Sequence, residues 1–185
     1  ATQNNKVMYG FIASLQSVTA QPYWDYQNGN WYYRNPNGTY WTGWHQNDGK
    51  KYYFSKNSGA AAKGLVVIDG KRYYFNPSTS EMVTGWVGLG GNAYYFTDSG
   101  AAASGLVTLF GDRYYFGPSS NKMATGWQTI GGYKYYFSSA TGKAASGLVT
   151  IGGYRYYFGP SSNKMATGWQ TIGGYRYYFS SVTGR

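Results

Sequence analysis

The sequence contains no cysteine and only one histidine, His45, among its 185 residues. Without cysteine the chain has neither a disulfide framework nor a thiolate metal site. A single histidine excludes a metal site built from several histidines of one chain. No run of about 18 or more apolar residues occurs, so no segment has the length of a transmembrane helix. We therefore expect no metal, no cofactor and no membrane span.

Acidic residues are also scarce, because Asp and Glu total 6 against 16 Lys and Arg. Glycoside hydrolysis needs two carboxyl groups that face each other, and three of the six acids, Asp48, Asp69 and Asp112, stand in or beside predicted turns. No nucleophile motif accompanies His45. The sequence therefore predicts a chain without catalytic activity, and any catalytic domain would lie outside it.

The formal net charge of +10, together with 21% aromatic residues, raises the alternative of nucleic-acid binding. Stacking of bases on aromatic rings beside cations is typical of proteins that bind single strands. Here the cations are spread along the chain, and no nucleic-acid-binding fingerprint occurs. We expect no nucleic-acid partner. The charge instead favours an anionic polymer as partner, or keeps a tyrosine-rich chain soluble.

A short repeat runs through most of the chain. The triplet Tyr-Tyr-Phe begins at Tyr52, Tyr73, Tyr94, Tyr114, Tyr135, Tyr156 and Tyr177. The intervals are 20 or 21 residues, and a degenerate copy begins at Trp31. Glycine followed alternately by Trp and Leu keeps the same period, as in Gly43-Trp44 and Gly64-Leu65. The true unit is therefore a pair of about 42 residues.

Each repeat has the pattern of a β-hairpin. Between Leu148 and Phe158, a Gly-Gly turn separates two β-rich runs, and such turns favour the positive φ of a tight hairpin. One hairpin cannot bury its aromatic faces alone, whereas stacked hairpins can. The sequence predicts an all-β, repetitive β-hairpin solenoid of about seven to eight units over residues 31–185. Residues 1–30 lack the repeat, and apolar residues on one helical face between Val7 and Leu15 predict a linker or short helix.

The motif Gly-Trp-Gln-Thr-Ile-Gly-Gly-Tyr-Lys-Tyr-Tyr-Phe at 126–137 resembles the cell-wall-binding, or choline-binding, repeat superfamily. It looks most like the glucan-binding repeats of glucansucrases and the repeat region of large clostridial toxins. The resemblance covers about 155 residues from Trp31 onward. It implies stacked hairpins with ligands held between neighbours, secretion or a place on the bacterial cell surface, and a targeting role.

Alternation along a strand sorts the side chains into two faces. Tyr154, Tyr156 and Phe158 share an aromatic face, which we predict to be the packed interior. Arg155 and Tyr157 share the other face, which we predict to be a ligand groove.

The resemblance to choline-binding repeats implies an aromatic cage that holds a quaternary ammonium by cation–π attraction. Where those relatives have a cage tryptophan, the regular repeats here have Lys51, Arg72, Ala93, Arg113, Lys134, Arg155 and Arg176. A fixed cation at that position repels a cationic ligand. Only Trp31, Tyr33 and Trp44 keep a cage of the choline type.

A neutral or anionic glycan suits the regular repeats better, because tyrosine offers both a ring and a hydroxyl, and glutamine both a donor and an acceptor. Resemblance to glucan-binding relatives favours an α-glucan such as dextran. The carbohydrate-binding candidates are Trp86, Trp127, Trp169, Tyr115, Tyr136, Tyr157, Gln128, Gln170, Lys122 and Lys164. The tryptophans would serve equally well as packing contacts between hairpins.

Repeated weak sites on one monomeric chain would bind a polysaccharide multivalently. Three alternatives to an α-glucan stay open. They are a choline-binding or teichoic-acid-binding module of a wall hydrolase or surface protein, and a module that binds a receptor glycan as the toxin repeats do.

Overall fold

A computed structural model describes residues 20–185, and their regular structure consists of β-strands. The strands are β1 (Tyr23–Gln27), β2 (Asn30–Arg34), β3 (Gly43–Asn47), β4 (Lys50–Phe54), β5 (Gly64–Ile68), β6 (Lys71–Phe75), β7 (Gly85–Leu89), β8 (Asn92–Phe96), β9 (Gly105–Leu109), β10 (Asp112–Phe116), β11 (Gly126–Ile130), β12 (Tyr133–Phe137), β13 (Gly147–Ile151), β14 (Tyr154–Phe158), β15 (Gly168–Ile172) and β16 (Tyr175–Phe179). Consecutive strands pair into eight two-stranded sheets. The predicted all-β fold of repeated hairpins is confirmed. Residues 20–185 include no helix with the length and apolar composition of a transmembrane segment.

All eight hairpin turns have a left-handed backbone at both central residues. In the first turn Asn28 and Gly29 have φ values of 50° and 76°, and in the seventh Gly152 and Gly153 have 55° and 80°. This is the signature of a type I′ turn, whose twist matches that of the flanking strands. The fifth turn carries Phe110 at its first central position, with φ 54°.

The first hairpin begins before the predicted boundary at residue 31. β1 pairs antiparallel with β2 along its full length, so residues 23–30 belong to the repeats and not to a linker. The Asn28-Gly29 dipeptide is a strong hairpin signal, but the strand before it lacks the Gly-Trp marker of the later copies. The short helix predicted around Val7–Leu15 lies outside the described residues.

The core is formed by the phenylalanine and, in most repeats, the first tyrosine of each triplet. Fully buried phenylalanines are Phe54, Phe75, Phe96, Phe116, Phe137 and Phe158. In β14, Tyr156 and Phe158 are buried as predicted, but Tyr154 is 49% exposed. The prediction that Tyr154 packs in the interior is therefore wrong. Tyr154 directly follows the turn, at the turn end of the hairpin, where the Arg185 guanidinium lies 3.6 Å from its ring centre.

The chain divides into two compact units. The first contains the described residues up to Val66 together with Phe75–Met82, and the second contains Val67–Tyr74 and Val83–Arg185. Within each unit the loop after one hairpin bonds to the preceding hairpin. The backbone N–H of Ala61 donates to the carbonyl oxygen of Trp31 in the first unit, at 2.8 Å. In the second unit Met165 donates to Lys134 in the same way, at 2.8 Å.

Candidate ligand-binding site

Three aromatic rings from two consecutive hairpins meet in the first unit. The ring centre of Trp24 lies 6.2 Å from that of Trp31, with an angle of 85° between the planes. It lies 4.7 Å from that of Tyr52, at 61°. The two tryptophans are half-buried and Tyr52 is buried. We call these three residues the Trp31 cage.

The loop after the third hairpin adds polar groups beside the Trp31 cage. The indole Nε1–H of Trp31 donates to the carbonyl oxygen of Ser78 at 3.3 Å. In the same loop the Glu81 carboxylate forms an ion pair of 2.6 Å with the exposed Lys50. Burial, followed by the charge of Glu81, raises the pKa of the Tyr52 hydroxyl. The cage therefore combines neutral aromatic faces with a carboxylate close enough to affect Tyr52.

An arrangement of the same design occurs near the end of the second unit. A groove of about 380 Å³ is lined by residues that include Trp127, Lys134, Tyr156, Met165 and Arg185. We call it the Trp127 groove. The Trp127 and Tyr156 rings lie 4.9 Å apart at 65°, much as the corresponding rings do in the Trp31 cage. Nε of Arg185 donates to the Tyr156 hydroxyl at 3.1 Å.

The hydrogen bonds between hairpins identify equivalent positions in the two sites. The carbonyl groups of Trp31 and Lys134 each accept a bond from the loop of the following hairpin, so Lys134 stands where Trp31 stands. By the same register, Arg185 stands where Glu81 stands. The two sites share a Trp–Tyr wall and differ in charge at the two other positions. The Trp31 cage suits a cation, whereas the Trp127 groove suits a neutral or anionic group.

Of the residues predicted for a choline-type cage, Trp31 and Tyr33 both contact Trp24, which the sequence analysis missed. The Trp24 ring centre is 6.2 Å from Trp31 and 5.1 Å from Tyr33. Trp44 packs instead on Tyr53, at 5.2 Å. The structure therefore brings Trp31 and Tyr33 together through Trp24, and gives Trp44 a separate set of contacts.

The tryptophans predicted to bind carbohydrate keep part of their surface in solvent. Trp86 is 42% exposed, Trp127 41% and Trp169 61%. Each packs on the second tyrosine of its own triplet, as Trp127 does on Tyr136 at 5.2 Å. Trp86 also reaches the next hairpin through Tyr114, at 5.2 Å. Trp86 and Trp127 thus join neighbouring hairpins and still present an exposed edge.

Two of the predicted tyrosines, Tyr115 and Tyr157, belong to repeats in which leucine follows the marker glycine, and they use their rings for packing. Tyr115 stacks on Phe137 at 6.1 Å, and Tyr157 stacks on Phe179 at 6.1 Å. Both tyrosines are half-buried. They therefore offer a ligand their hydroxyl ends more readily than their faces.

The polar candidates differ in whether their side chains already make contacts within the chain. Gln128 and Gln170 each donate Nε2–H to the carbonyl oxygen of the threonine three residues earlier, at 3.0 Å. Gln128 nevertheless lines the Trp127 groove. Nζ of Lys164 lies 3.4 Å from the ring centre of Tyr133, whereas Lys122 is exposed.

His45 lies among aromatic rings in the first unit. Its ring centre is 4.5 Å from Tyr33 and 4.3 Å from Trp41. Its Nε2 is buried without a hydrogen-bond partner in the described residues, and burial lowers its pKa. Across residues 20–185, no group of three or more His, Asp or Glu residues is placed to hold a metal ion.

Family models match most of the described repeats. The model described as "Choline-binding repeat" matches residues 62–106 and 124–167. The model described as "Putative cell wall binding repeat" matches residues 24–40, 42–61 and 167–181. The chain therefore belongs to the choline-binding, or cell-wall-binding, repeat superfamily, as its Gly-Trp and Tyr-Tyr-Phe motifs suggested. No curated protein matches the chain.

Solved structures from Streptococcus pneumoniae share this fold. CbpJ is 34% identical, with a TM-score of 0.78 and coverage of 83% of this chain and 55% of its own. Choline binding protein F, crystallised in the presence of a peptidoglycan analogue, is 32% identical, with a TM-score of 0.74 and coverage of 83% and 55%. The modular autolysin LytC is 28% identical, with a TM-score of 0.61 and coverage of 86% and 38%. The chain thus spans about half the length of the first two structures.

Sequence analysis did not identify three residues of the candidate site. Trp24 was assigned to the linker. Tyr52 was assigned to the core, where it does lie, but its ring also forms one side of the Trp31 cage. Glu81 comes from a loop two hairpins away, and only the repeat register could have pointed to it.

Proposed function

We propose that this chain attaches a secreted or surface-associated bacterial protein to the cell wall by binding choline groups of a wall polymer. The observation that carries the proposal is the Trp31 cage, with three aromatic residues and a nearby carboxylate. Membership of the choline-binding repeat superfamily supports it. So does the likeness to choline binding protein F, whose structure was determined in the presence of a peptidoglycan analogue.

The chemistry of the Trp31 cage fits a quaternary ammonium. Such a group has no hydrogen-bond donor and is bound through aromatic faces, at about 0.5 to 2 kcal/mol for each cation–π contact. Trp24 and Trp31 meet nearly edge to face, at 85°, so a bound trimethylammonium group would contact two ring systems at once. The Glu81 carboxylate adds a longer-range attraction, which its ion pair with Lys50 at 2.6 Å weakens.

The module acts by binding, and the chemistry of the whole protein would come from other domains. This is the division of roles that the modular autolysin LytC suggests by its description. One cage gives weak attachment, and several chains or sites on one polymer raise the apparent affinity. We expect the chain to be monomeric.

A second candidate function concerns the second unit, where the Trp127 groove favours a carbohydrate over choline. Lys134 and Arg185 occupy the places of a cage tryptophan and a carboxylate, so a quaternary ammonium is repelled there. The exposed part of Trp127 and the amide of Gln128 offer an apolar face and a polar edge, which together suit a sugar ring. We infer that an α-glucan segment binds in this groove.

Titrations of the purified chain with choline and with dextran, followed by tryptophan fluorescence, test both functions. We expect Trp31→Lys to abolish choline binding and to leave dextran binding unchanged. Trp127→Ala, which removes the tryptophan that stands in the second unit where Trp24 stands in the first, is the control and should have the opposite effect. Glu81→Gln, a surface change that leaves every ring in place, should weaken choline binding severalfold. Choline binding that survives Trp31→Lys in a folded chain would overturn the first proposal, and dextran binding that survives Trp127→Ala would overturn the second.

A further inference from the structure

We propose that the second unit carries an oxyanion-binding site in the groove beside Arg72. The groove has a volume of about 380 Å³, and its lining includes Lys71, Arg72, Ser104, Ser119 and Asn121. We call it the Arg72 groove. None of its lining residues belongs to the Trp31 cage or the Trp127 groove. The Arg72 groove would bind a phosphate or carboxylate group of an anionic polymer. The proposal is therefore independent of choline and glucan binding.

The Arg72 side chain is held in place by the protein and keeps donors for a ligand. Its Nη1 donates to the carbonyl oxygen of Ser120 and, at 3.3 Å, to Oδ1 of Asn121. A guanidinium has five N–H donors in a planar fork. Nε and Nη2 make no hydrogen bond within the described part of the chain. A fixed fork with unused donors matches the two oxygens of a phosphodiester or a carboxylate.

The rest of the Arg72 groove has the polarity that an anion requires. Lys71 adds a second positive charge on the neighbouring position of β6, and its side chain is exposed. The Ser104 hydroxyl donates to the carbonyl oxygen of Pro118 at a long 3.3 Å, so it can turn toward a stronger acceptor. No carboxylate is among the residues that line the groove.

A near-copy of the groove, one pair of repeats later, supplies a natural comparison. The Arg113 groove, of about 330 Å³, repeats the serine, proline and asparagine lining and includes Asp112 where the first has Lys71. Nη1 of Arg113 donates to the carbonyl oxygen of Ser162 at 2.7 Å. Asp112 is paired with Lys143 at 2.6 Å. The two grooves thus share the fixed arginine but carry opposite charges at one position, Lys71 against Asp112, so the Arg72 groove should hold an anion more tightly.

The charge of the C-terminal part of the second unit, residues 113–185, supports attraction of anions to this unit. Residues 113–185 contain eight Lys or Arg and no Asp or Glu. A surface of one sign raises the local concentration of oppositely charged ligands and speeds their encounter, in a manner that salt suppresses. The general field would bring the polymer close, and the fixed guanidinium of Arg72 would select the oxyanion.

Calorimetric titration of the full chain with three probes tests the proposal. The probes are a short oligo(glycerol phosphate), an oligogalacturonate of similar charge, and neutral dextran. We expect the phosphate oligomer to bind, and Arg72→Gln to lower its affinity about tenfold or more, because a charge-assisted bidentate contact is lost. Binding of the oligogalacturonate would show that the Arg72 groove holds a carboxylate as well as a phosphate. Unchanged choline binding in the variant would show that the fold is intact.

Two further variants separate the site from general charge. Arg176→Gln removes the same charge from the same strand position of the last hairpin, where the guanidinium lies over Trp169, and should leave the affinity within about twofold. Asp112→Asn should strengthen phosphate binding in the Arg113 groove, and so raise the number of bound probes. If Arg176→Gln weakens binding as much as Arg72→Gln does, or if neither anion binds, the proposal is wrong. The Arg72 N–H resonances should shift on titration with phosphate oligomer, and their failure to move would equally contradict it.

Discussion

The indole N–H of Trp31 and the carbonyl oxygen of Ser78 form a hydrogen bond of 3.3 Å between a strand of the first hairpin and the loop after the third. At the equivalent strand position of the second unit, Arg113 makes a bond of 2.7 Å to the carbonyl oxygen of Ser162. The link from strand to loop is thus kept when tryptophan is replaced by arginine. The side chain that makes this link decides whether the site offers an aromatic face or a charge.

Replacing Trp31 by phenylalanine should weaken choline binding without abolishing it. The substitution keeps an aromatic face and removes the donor to Ser78. A typical hydrogen bond contributes about 0.5 to 1.5 kcal/mol, so we expect the affinity to fall roughly two- to tenfold, since the ring is no longer held in one orientation. Fluorescence titration with choline measures the effect. An affinity equal to that of the parent chain would show that the Ser78 bond does not position the ring.

Replacing the two cationic side chains that distinguish the Trp127 groove from the Trp31 cage should create a choline site in the second unit. Lys134→Trp combined with Arg185→Glu recreates the Trp31 cage around Trp127 and Tyr156. Equilibrium dialysis with labelled choline should then give one more bound choline per chain. Arg176→Glu combined with Lys134→Trp is the control, because it carries the same net charge without placing the carboxylate in the groove. Equal stoichiometry in both double variants would contradict the role assigned to Arg185 and Glu81.

Stability should fall in mild acid because of His45. Burial lowers the pKa of this imidazole below its ordinary value of 6.5, so well above pH 6.5 the side chain is neutral in both the folded and the unfolded chain. As the pH falls below that value, the unfolded chain takes up a proton first, and the free energy of unfolding decreases until the folded-state pKa is passed.

Urea unfolding at pH 7.5 and pH 5, in the parent chain and in His45→Gln, checks this expectation. The difference in stability between the two pH values should be smaller in the variant. If both chains lose the same stability on acidification, other groups are responsible and His45 is not the titrating residue.

Two phenylalanines only six positions apart should differ sharply in their effect on stability. Phe116 is fully buried, and Phe110 is 82% exposed. Truncation of a buried phenylalanine to alanine costs about 3 to 5 kcal/mol, so Phe116→Ala should lower the midpoint of denaturant unfolding strongly. Phe110→Ala should change the free energy of unfolding by less than about 1 kcal/mol. Similar losses in the two variants would mean that the turn residue has a packing role.

Gly59 should tolerate a side chain less well than Gly43. Both have a positive φ, 71° and 80°, so alanine costs about 1 to 2 kcal/mol at either position. A Cβ at Gly59 would also lie 2.9 Å from Cβ of Tyr40, whereas at Gly43 it would meet no atom within 4 Å. Thermal unfolding should therefore place Gly59→Ala below Gly43→Ala. The reverse order would show that the loop shifts freely away from Tyr40.

The fold was predictable because the same local signals recur in every repeat. Dipeptides such as Asp48-Gly49 and Gly152-Gly153 indicate tight turns, and the Tyr-Tyr-Phe triplets supply the buried rings. The first strand of the first hairpin escaped detection because it carries Trp24 without a preceding glycine, so only the Asn28-Gly29 turn and the degenerate copy at Trp31 marked this hairpin.

The candidate site was harder to predict because its parts come from three hairpins. Strand alternation predicted that Trp31 lies on the groove face, but it could not reveal that Trp24 lies beside it or that the buried Tyr52 completes the cage. The position of Glu81 depends on how a loop two repeats away folds back. A residue-by-residue comparison of repeats would have shown the exchange of Glu81 for Arg185, provided that the register of the loops was known.

The hydrogen bonds between hairpins in the second unit join a hairpin to the loop that follows the next one, as between Lys134 and Met165. Bonds of this kind between neighbouring repeats let stability grow as a sum of neighbouring contacts. A pair of hairpins can then be duplicated or deleted without disturbing distant ones, and residues 126–141 and 168–183 differ at only two positions. The number of repeats is thus free to vary during evolution, and with it the length of polymer that one chain can engage.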